Sequence, residues 1–348
     1  MESIYNFTLE TLTQHLQTQD CPHPKTAAIR IFHHLYRERK VGPLTEGQIS
    51  KKAINYLAKS TSFDLAKTIS VQESKDFTVK FLIEFCDGER VETVLIPFPG
   101  RYAVCISTQV GCAMRCSFCF TGTQGLKRHL TSGEILSQYL IAWEWLECYR
   151  PRKAAQPKIV LMGQGEPLHN FEEVKKALLI FVSEQGMQLG TRRITLSTAG
   201  YLPGLKRFGE LPLINIALSL HSPFNSIRSQ IIPLNKSYPL EDILATIDSI
   251  PFKGNRAINF EYVLIDGLNN REEDARELAK ILLGKKGIIN LIPFNGFPGA
   301  VYERPSEERM AAFQGILSSL GIHATIRTTK GSDIFAACGQ LKHLLEGS

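Results

Sequence analysis

Six short apolar runs alternate with helix-patterned stretches from residue 102 onward, and this alternation constrains the fold more than any other feature. The runs are 102–107, 159–162, 194–197, 214–220, 258–264 and 288–293, and helical periodicity fills 132–149, 171–184, 239–250 and 272–283. Strands separated by helices of this length build parallel β-α units, so the pattern predicts an α/β fold with a parallel sheet or an incomplete barrel. Gly and polar residues follow the strands directly, in Gly163-Gln-Gly-Glu-Pro167, Ser197-Thr-Ala-Gly200, Ser219-Leu-His-Ser222 and Asn295-Gly-Phe-Pro-Gly299. They mark the C-terminal rim, where barrels place their sites.

After the first run comes Gly-Cys112-Ala-Met-Arg-Cys116-Ser-Phe-Cys119-Phe-Thr-Gly. A C-x3-C-x2-C spacing gathers three thiolates in one loop and supplies no nearby fourth ligand, since the next cysteine is Cys148 and the local His129 follows a basic stretch. Cysteine thiolates hold four-iron clusters. With three of them, one iron stays open to an outside ligand, and open metal positions are where chemistry occurs. Structural zinc is the rival, but it needs four N or S ligands and favours paired C-x2-C knuckles, of which the second is missing.

Composition narrows the class. Hydrophobic content of 43% and charged content of 21% are those of an ordinary globular protein. No run approaches the ~18 apolar residues of a membrane span, and the start lacks a basic and apolar leader, so a cytoplasmic, reducing location is expected for the eight cysteines. The net charge of +6 suits a polyanionic partner. Basic residues gather at Arg37, Arg39 and Lys40, at Lys51 and Lys52, at Lys127 and Arg128, at Arg192 and Arg193, at Lys206 and Arg207, and at Lys285 and Lys286. Each group alone reads as a solvated face; together they favour RNA. A monomer is expected.

The chain divides into four expected segments. Residues 1–62 form a helical accessory domain expected to contact RNA, from the spacing of Leu9, Leu12 and Leu16 and the stripe from Ala27 to Leu35. Residues 63–100 carry a β-hairpin, because the alternating runs 78–85 and 90–96 flank Cys86-Asp-Gly-Glu89. Residues 101–300 hold the barrel, and 301–348 form an extension with an isolated Cys338 in its last block, 331–345.

The cysteine loop after the first strand, with Gly-Glu-Pro after the next, resembles the radical S-adenosylmethionine (SAM) superfamily. Val91-Glu-Thr-Val94, Cys105-Ile-Ser-Thr-Gln-Val-Gly-Cys112, Met162-Gly-Gln-Gly-Glu-Pro167, Leu196-Ser-Thr-Ala-Gly200, Leu218-Ser-Leu-His221, Pro293-Phe-Asn295 and Ala336-Ala-Cys-Gly-Gln340 occur together and in order. Across nearly the whole chain this resembles the RlmN family of dual-specificity RNA methyltransferases, whose sister is the Cfr family. The resemblance implies a radical SAM partial (β/α)6 TIM-like barrel with a helical accessory domain and a hairpin extension. It implies methylation at C2 of an adenosine in the peptidyl transferase centre of 23S rRNA and of the adenosine 3′ to the anticodon in tRNA, with a flavodoxin-type electron donor.

Residue roles follow from the same resemblance. Cys112, Cys116 and Cys119 hold one 4Fe-4S cluster, and Gly165, Glu166, Ser197, Ser219, Leu220, His221 and Asn295 bind SAM, two of which are used per turnover. Cys338 takes the first methyl group, Glu92 accepts the ring proton, and Cys105 releases the product by forming a disulfide with Cys338. The residues by themselves leave plainer readings open. Cys105 and Cys338 suit structural thiols, Glu92 a solvent-facing strand position, and His221 a structural imidazole. Cys21, Cys86 and Cys148 match no motif and read as structural.

Two positions depart from the family pattern: Gln164 stands where Met is usual, and Phe335 where Asp is usual. Leu-His-Ser-Pro at 220–223 and Gly-Leu-Lys at 125–127 resemble the Cfr side, which methylates C8, whereas 292–299 and 329–331 resemble RlmN and favour C2. A non-catalytic iron–sulfur protein that binds RNA or senses redox state is the alternative of a different class. It requires Cys105 and Cys338 to be far apart.

Overall fold

The computed structural model describes residues 1–45, 47–153, 155–250 and 257–342; the end of the last expected block, 343–345, lies outside the described residues. One ten-stranded sheet dominates, and its strands lie side by side in chain order. They are β1 (Lys67–Glu73), β2 (Val79–Glu84), β3 (Arg90–Phe98), β4 (Arg101–Cys105), β5 (Lys158–Leu161), β6 (Ile194–Thr198), β7 (Asn215–Ser219), β8 (Ile258–Leu264), β9 (Gly287–Pro293) and β10 (Ala324–Ile326). Strands β1 to β4 form an antiparallel meander, and β4 to β10 run parallel. The crossovers carry α4 (Ser132–Tyr149), α5 (Phe171–Val182), α6 (Leu202–Lys206), α7 (Asn225–Ile231), α8 (Leu240–Asp248), α9 (Glu272–Leu282) and α10 (Glu307–Ser319).

All six expected parallel strands are present within two residues of their sequence bounds, and β10 extends the series by one. The expected hairpin is β2 and β3, with Glu84 opposite Arg90 and Gly88 at φ +82° in the turn. It is not a detached extension. The nine-residue β3 outruns β2 and pairs onward with β4, Val94 opposite Cys105, so the meander and the barrel share one sheet.

Sheet register separates two faces, because side chains alternate along each strand. Val104, Ile159, Leu196, Ile216, Phe260 and Leu291 face the helices and build the main core. Glu92, Cys105, Ser197, Ser219, Glu261 and Asn290 occupy the opposite face. A strand sequence such as Asn-Ile-Ala-Leu-Ser thus puts one apolar and one polar face on the same β7.

The first segment folds as α1 (Leu9–Gln17), α2 (Pro24–Phe32), a five-residue π turn (His33–Arg37) and α3 (Lys51–Ser60). It packs on α4, whose start is fixed by a reciprocal cap: Glu134 N donates to Thr131 Oγ1 at 3.2 Å, and Thr131 N to the Glu134 carboxylate at 2.8 Å. Gly133 in this first turn donates its N–H to Asn6 Oδ1 at 2.9 Å, and the Arg39 guanidinium lies 4.0 Å over the Trp143 ring while pairing with Glu147. Among the described residues no helix is long and apolar enough to cross a membrane.

Candidate active site

Beyond β4 the chain forms a small antiparallel ribbon, Gln109–Gly111 against Leu126–His129, and the cysteine loop fills its mouth. Backbone bonds shape the loop: Cys112 N donates to Gly125 O at 2.8 Å, Cys119 N to Cys116 O at 3.1 Å, and Gly122 N to Cys119 O at 3.0 Å. Gly122 is required there, since a Cβ would stand 2.6 Å from Cys116 O. Ser117 N donates to Ile231 O at the end of α7, and Phe120 N to Gly339 O in the last loop.

Electrostatics ties the three thiols together. Burial pushes Cys116 well above the ordinary thiol range, the neighbouring Cys112 and Cys119 add to the rise, and Arg228 opposes it. Burial likewise lifts Cys112 to about 12. Three enclosed thiols that resist carrying charge on their own need a cationic partner to become thiolates. Among the described residues, no three His, Cys, Asp or Glu side chains converge as ligands of a single ion. The donor set fits a cluster that spans three sulfurs.

The strand ends surround this loop. Gly165, at φ +107°, follows β5 in a conformation that glycine adopts freely, and a Cβ would meet Gln109 Cβ at 2.7 Å. Gly165→Ala is therefore expected to lose about 1–3 kcal/mol by overpacking, measured as a lower urea midpoint. The Glu166 carboxylate accepts from Leu168 N at 3.1 Å and Ala199 N at 2.8 Å, locking the ends of β5 and β6 together. Burial raises it to about 7, and its charge in turn lifts Cys112 and Cys116, so it lies beside the thiols.

Ser197 and Ser219 stand on the polar face near the ends of β6 and β7. Leu220 is fully buried and contributes backbone: its N–H goes to Glu261 O at 2.9 Å. His221 has φ +58°, accepts from Val263 N through Nδ1 at 3.0 Å, and packs edge-on against Phe118 of the cysteine loop at 4.6 Å. Burial lowers this imidazole to about 3, so it stays neutral. Asn295 Nδ2 donates to Cys338 O at 3.1 Å, and its Oδ1 accepts from Thr329 Oγ1. In this structure the Asn295 side chain holds the Cys338 loop.

That loop brings the two remaining sequence-predicted cysteines together. Cys105 packs with Val94, Ala336 and Leu341 in a small apolar cluster, and the Cys338 residue is exposed. The Cys105 thiol is raised far above its ordinary range by burial first and by Cys338 second. Desolvation first and the Glu261 carboxylate second lift the Cys338 thiol to about 11, against Arg327. The loop is anchored from β1–β2: Ser74 Oγ donates to Asp333 at 2.6 Å and Gly331 N to Asp76 at 3.0 Å. Phe335, where Asp is usual, adopts φ +51° and is 45% exposed; Asp333, two residues earlier, supplies a carboxylate anchor.

Glu92 is buried rather than solvent-facing. Its Oε1 lies 2.9 Å from Lys80 Nζ, while Oε2 is buried without a partner. Burial raises its carboxyl and Lys80 pulls it down, leaving it above the usual range. Gln164 accepts from Glu92 N at 2.8 Å and donates to Gln124 Oε1 at 3.1 Å, so this second departure bridges β3 to the cysteine loop.

Lys80, Gln164 as a bridge, Arg228, Glu261 and Asp333 were not evident from motifs. Lys80 had a signal: the 86–89 turn sets a register that places Lys80 opposite Val94, diagonal to Glu92. The basic groups shrink as an RNA signature. Lys127 pairs with Glu89, Arg128 with Asp87 and Glu134, Arg207 with Glu172 and Glu210, and Lys285 with Asp248.

Comparison with known proteins agrees with this architecture. The radical SAM superfamily model matches residues 106–279. The dual-specificity RNA methyltransferase RlmN of Campylobacter lari is 38% identical, covering 98% of this chain and 98% of that protein. The RlmN of Gluconobacter oxydans is 41% identical over 90% of this chain and 79% of its own length. The crystal structure of a radical SAM methyltransferase from Sphaerobacter thermophilus superposes with a TM-score of 0.89 at 39% identity, covering 98% of this chain and 99% of the other. With likeness of this extent in both sequence and fold, the chain belongs to the RlmN family of radical SAM methyltransferases.

Proposed function

We propose that the chain methylates C2 of adenine in RNA, on 23S rRNA in the peptidyl transferase centre and on the adenosine 3′ to the anticodon of tRNA, through a methylated Cys338. The observation that carries the reading is the meeting of Cys105 and Cys338, on a face shared with the buried Glu92. A non-catalytic iron–sulfur protein has no need of that arrangement. When bound, a 4Fe-4S cluster on Cys112, Cys116 and Cys119 with SAM at its open iron supplies the hydrogen-abstracting radical that an electron-poor aromatic C–H demands.

The chain's own groups divide the remaining work. Gly165, Glu166, Ser197, Ser219, Leu220, His221 and Asn295 line the rim that receives SAM, with two molecules used per turnover. Cys338 accepts a methyl group from one SAM and carries it on sulfur. Once that carbon is joined to the adenine ring, Glu92 takes the ring proton. Cys105, as a thiolate, then attacks the Cys338 sulfur; the sulfur–carbon bond breaks with its electron pair left on the carbon, which takes up a proton to become the methyl group of the released RNA, and a disulfide remains. The reading assigns electron supply to a flavodoxin-type protein, treats the chain as a monomer, and gives residues 1–62 to RNA contact, 63–100 to the hairpin, 101–300 to the barrel and 301–348 to the methyl-carrying loop.

Mass spectrometry of nucleosides from RNA of cells with and without the chain tests this directly. 2-Methyladenosine is expected; 8-methyladenosine would move the activity to the Cfr type, and neither product would remove the enzyme reading.

The Glu92 role makes a pH prediction. A base must be ionised, so proton removal should rise with pH through the Glu92 pKa. Lys80 favours the ionised form, and Lys80→Met withdraws that help, so the acid limb should move to higher pH. A single-turnover rate–pH profile reads the shift; an unmoved limb would assign proton removal elsewhere.

A further inference from the structure

Arg228 is fully buried on α7, and every acceptor the structure gives it is neutral. Nε donates to Leu220 O at 3.0 Å, one terminal nitrogen to Asn235 Oδ1 at 2.6 Å, and the other to Ala199 O at 2.8 Å and Ser219 O at 2.9 Å. Carbonyls and an amide satisfy the donors, and among the described residues no carboxylate pairs with the charge. A buried charge of this kind is strongly disfavoured unless an opposite charge stands near. The carboxylate closest in the hydrogen-bond network, Glu166, is spent on the other side of the Ala199 peptide.

What faces α7 is the cysteine loop. Ser117 N donates to Ile231 O at 3.0 Å, and Cys112 and Cys116 pack against the cluster that contains Ile231 and Ile232. We propose that Arg228 is a positioning residue that acts as the fixed counter-cation of the iron–sulfur centre and raises its reduction potential. The proposal rests on the assignment of Cys112, Cys116 and Cys119 to a 4Fe-4S cluster. Geometry supports it: the guanidinium is fixed at the ends of β6 and β7, and the helix that carries it bonds through Ile231 O to Ser117 N, between Cys116 and Cys119.

The charge balance gives the sign. An oxidised centre held by three thiolates carries one net negative charge, and one electron from a low-potential donor makes it two. A nearby fixed cation favours the more negative form, so its removal lowers the potential. The hydrogen-bond fork gives the second role, because the same guanidinium ties the ends of β6 and β7 behind the cluster loop.

The test is a redox titration of anaerobically reconstituted full-length protein, followed by electron paramagnetic resonance and with iron and sulfide measured. Arg228→Gln should lower the reduced-to-oxidised ratio at a fixed potential at least tenfold, equivalent to about 59 mV for a one-electron couple. Arg228→Lys, which keeps the charge and loses the fork, should stay nearer the parent in potential while losing thermal stability. A cluster-loaded Arg228→Gln with the parent potential overturns the proposal and leaves Arg228 a structural strut. If that variant does not fold, Asn235→Asp decides: a carboxylate at the Oδ1 position screens the guanidinium, so the potential should fall, and an unchanged potential overturns the proposal. A parent protein that takes up no cluster would instead refute the cluster assignment, and iron analysis tells the two failures apart.

Discussion

Cys105→Ala will bind RNA, carry it through carbon transfer, and then fail to let it go. Cys105 lies in the apolar cluster that also holds Ala336 and Leu341 of the Cys338 loop, and its thiol responds electrostatically to Cys338. Of the other described cysteines outside the cluster loop, Cys86 and Cys148 are exposed and Cys21 is buried in the core that contains the first helices. On the proposed mechanism, loss of the Cys105 sulfur leaves the adduct between Cys338 and the base with no partner to break it. Multiple turnover should fall by more than about a thousandfold, as for other members of a catalytic unit. The readout is a slow-migrating, nuclease-sensitive band on a denaturing gel, absent from Cys105→Ala/Cys338→Ala. Product formed at the parent rate by Cys105→Ala would assign release to another group. Folding is expected to persist, since the lost sulfur removes one small buried group.

Cys112→Ala is expected to be colourless and inactive while remaining folded. Anaerobically prepared parent protein should be brown, because iron–sulfur charge transfer absorbs in the visible. The three half-buried cysteines lie in one short loop, so loss of one leaves two sulfurs for a centre that needs three. Methylation should drop by more than about a thousandfold. The loop keeps its backbone bonds, including Cys112 N to Gly125 O, and the sheet does not depend on the sulfur. Apo-protein stability should therefore change by only about 1 kcal/mol. A variant that stays brown, with full iron content, would place the cluster elsewhere.

Much of the fold was legible because its signals are local. Periods of two and near 3.6 mark β5 to β9 and α4, α5, α8 and α9 within two residues of their observed ends. β10 went uncounted because three residues at a sheet edge carry too short a pattern. β1 was missed for a related reason: all seven of its residues are exposed, so it shows no buried face. The basic groups misled in the opposite direction. Lys127 and Arg128 look free in sequence, yet Glu89, Asp87 and Glu134 neutralise them from separate elements.

The sequence by itself determined the β-α alternation, the three-thiol loop placed after its first strand, and the polar rim, since each depends on residues close along the chain. Tertiary structure alone decided that Cys338 returns to Cys105, that Lys80 reaches Glu92, and that Arg228 is buried with only neutral acceptors among the described residues. Those outcomes depend on sheet register and on burial. Register is set jointly by all the strands of the sheet, and desolvation is set by whatever packs around a group, so neither is a property of any short stretch of residues.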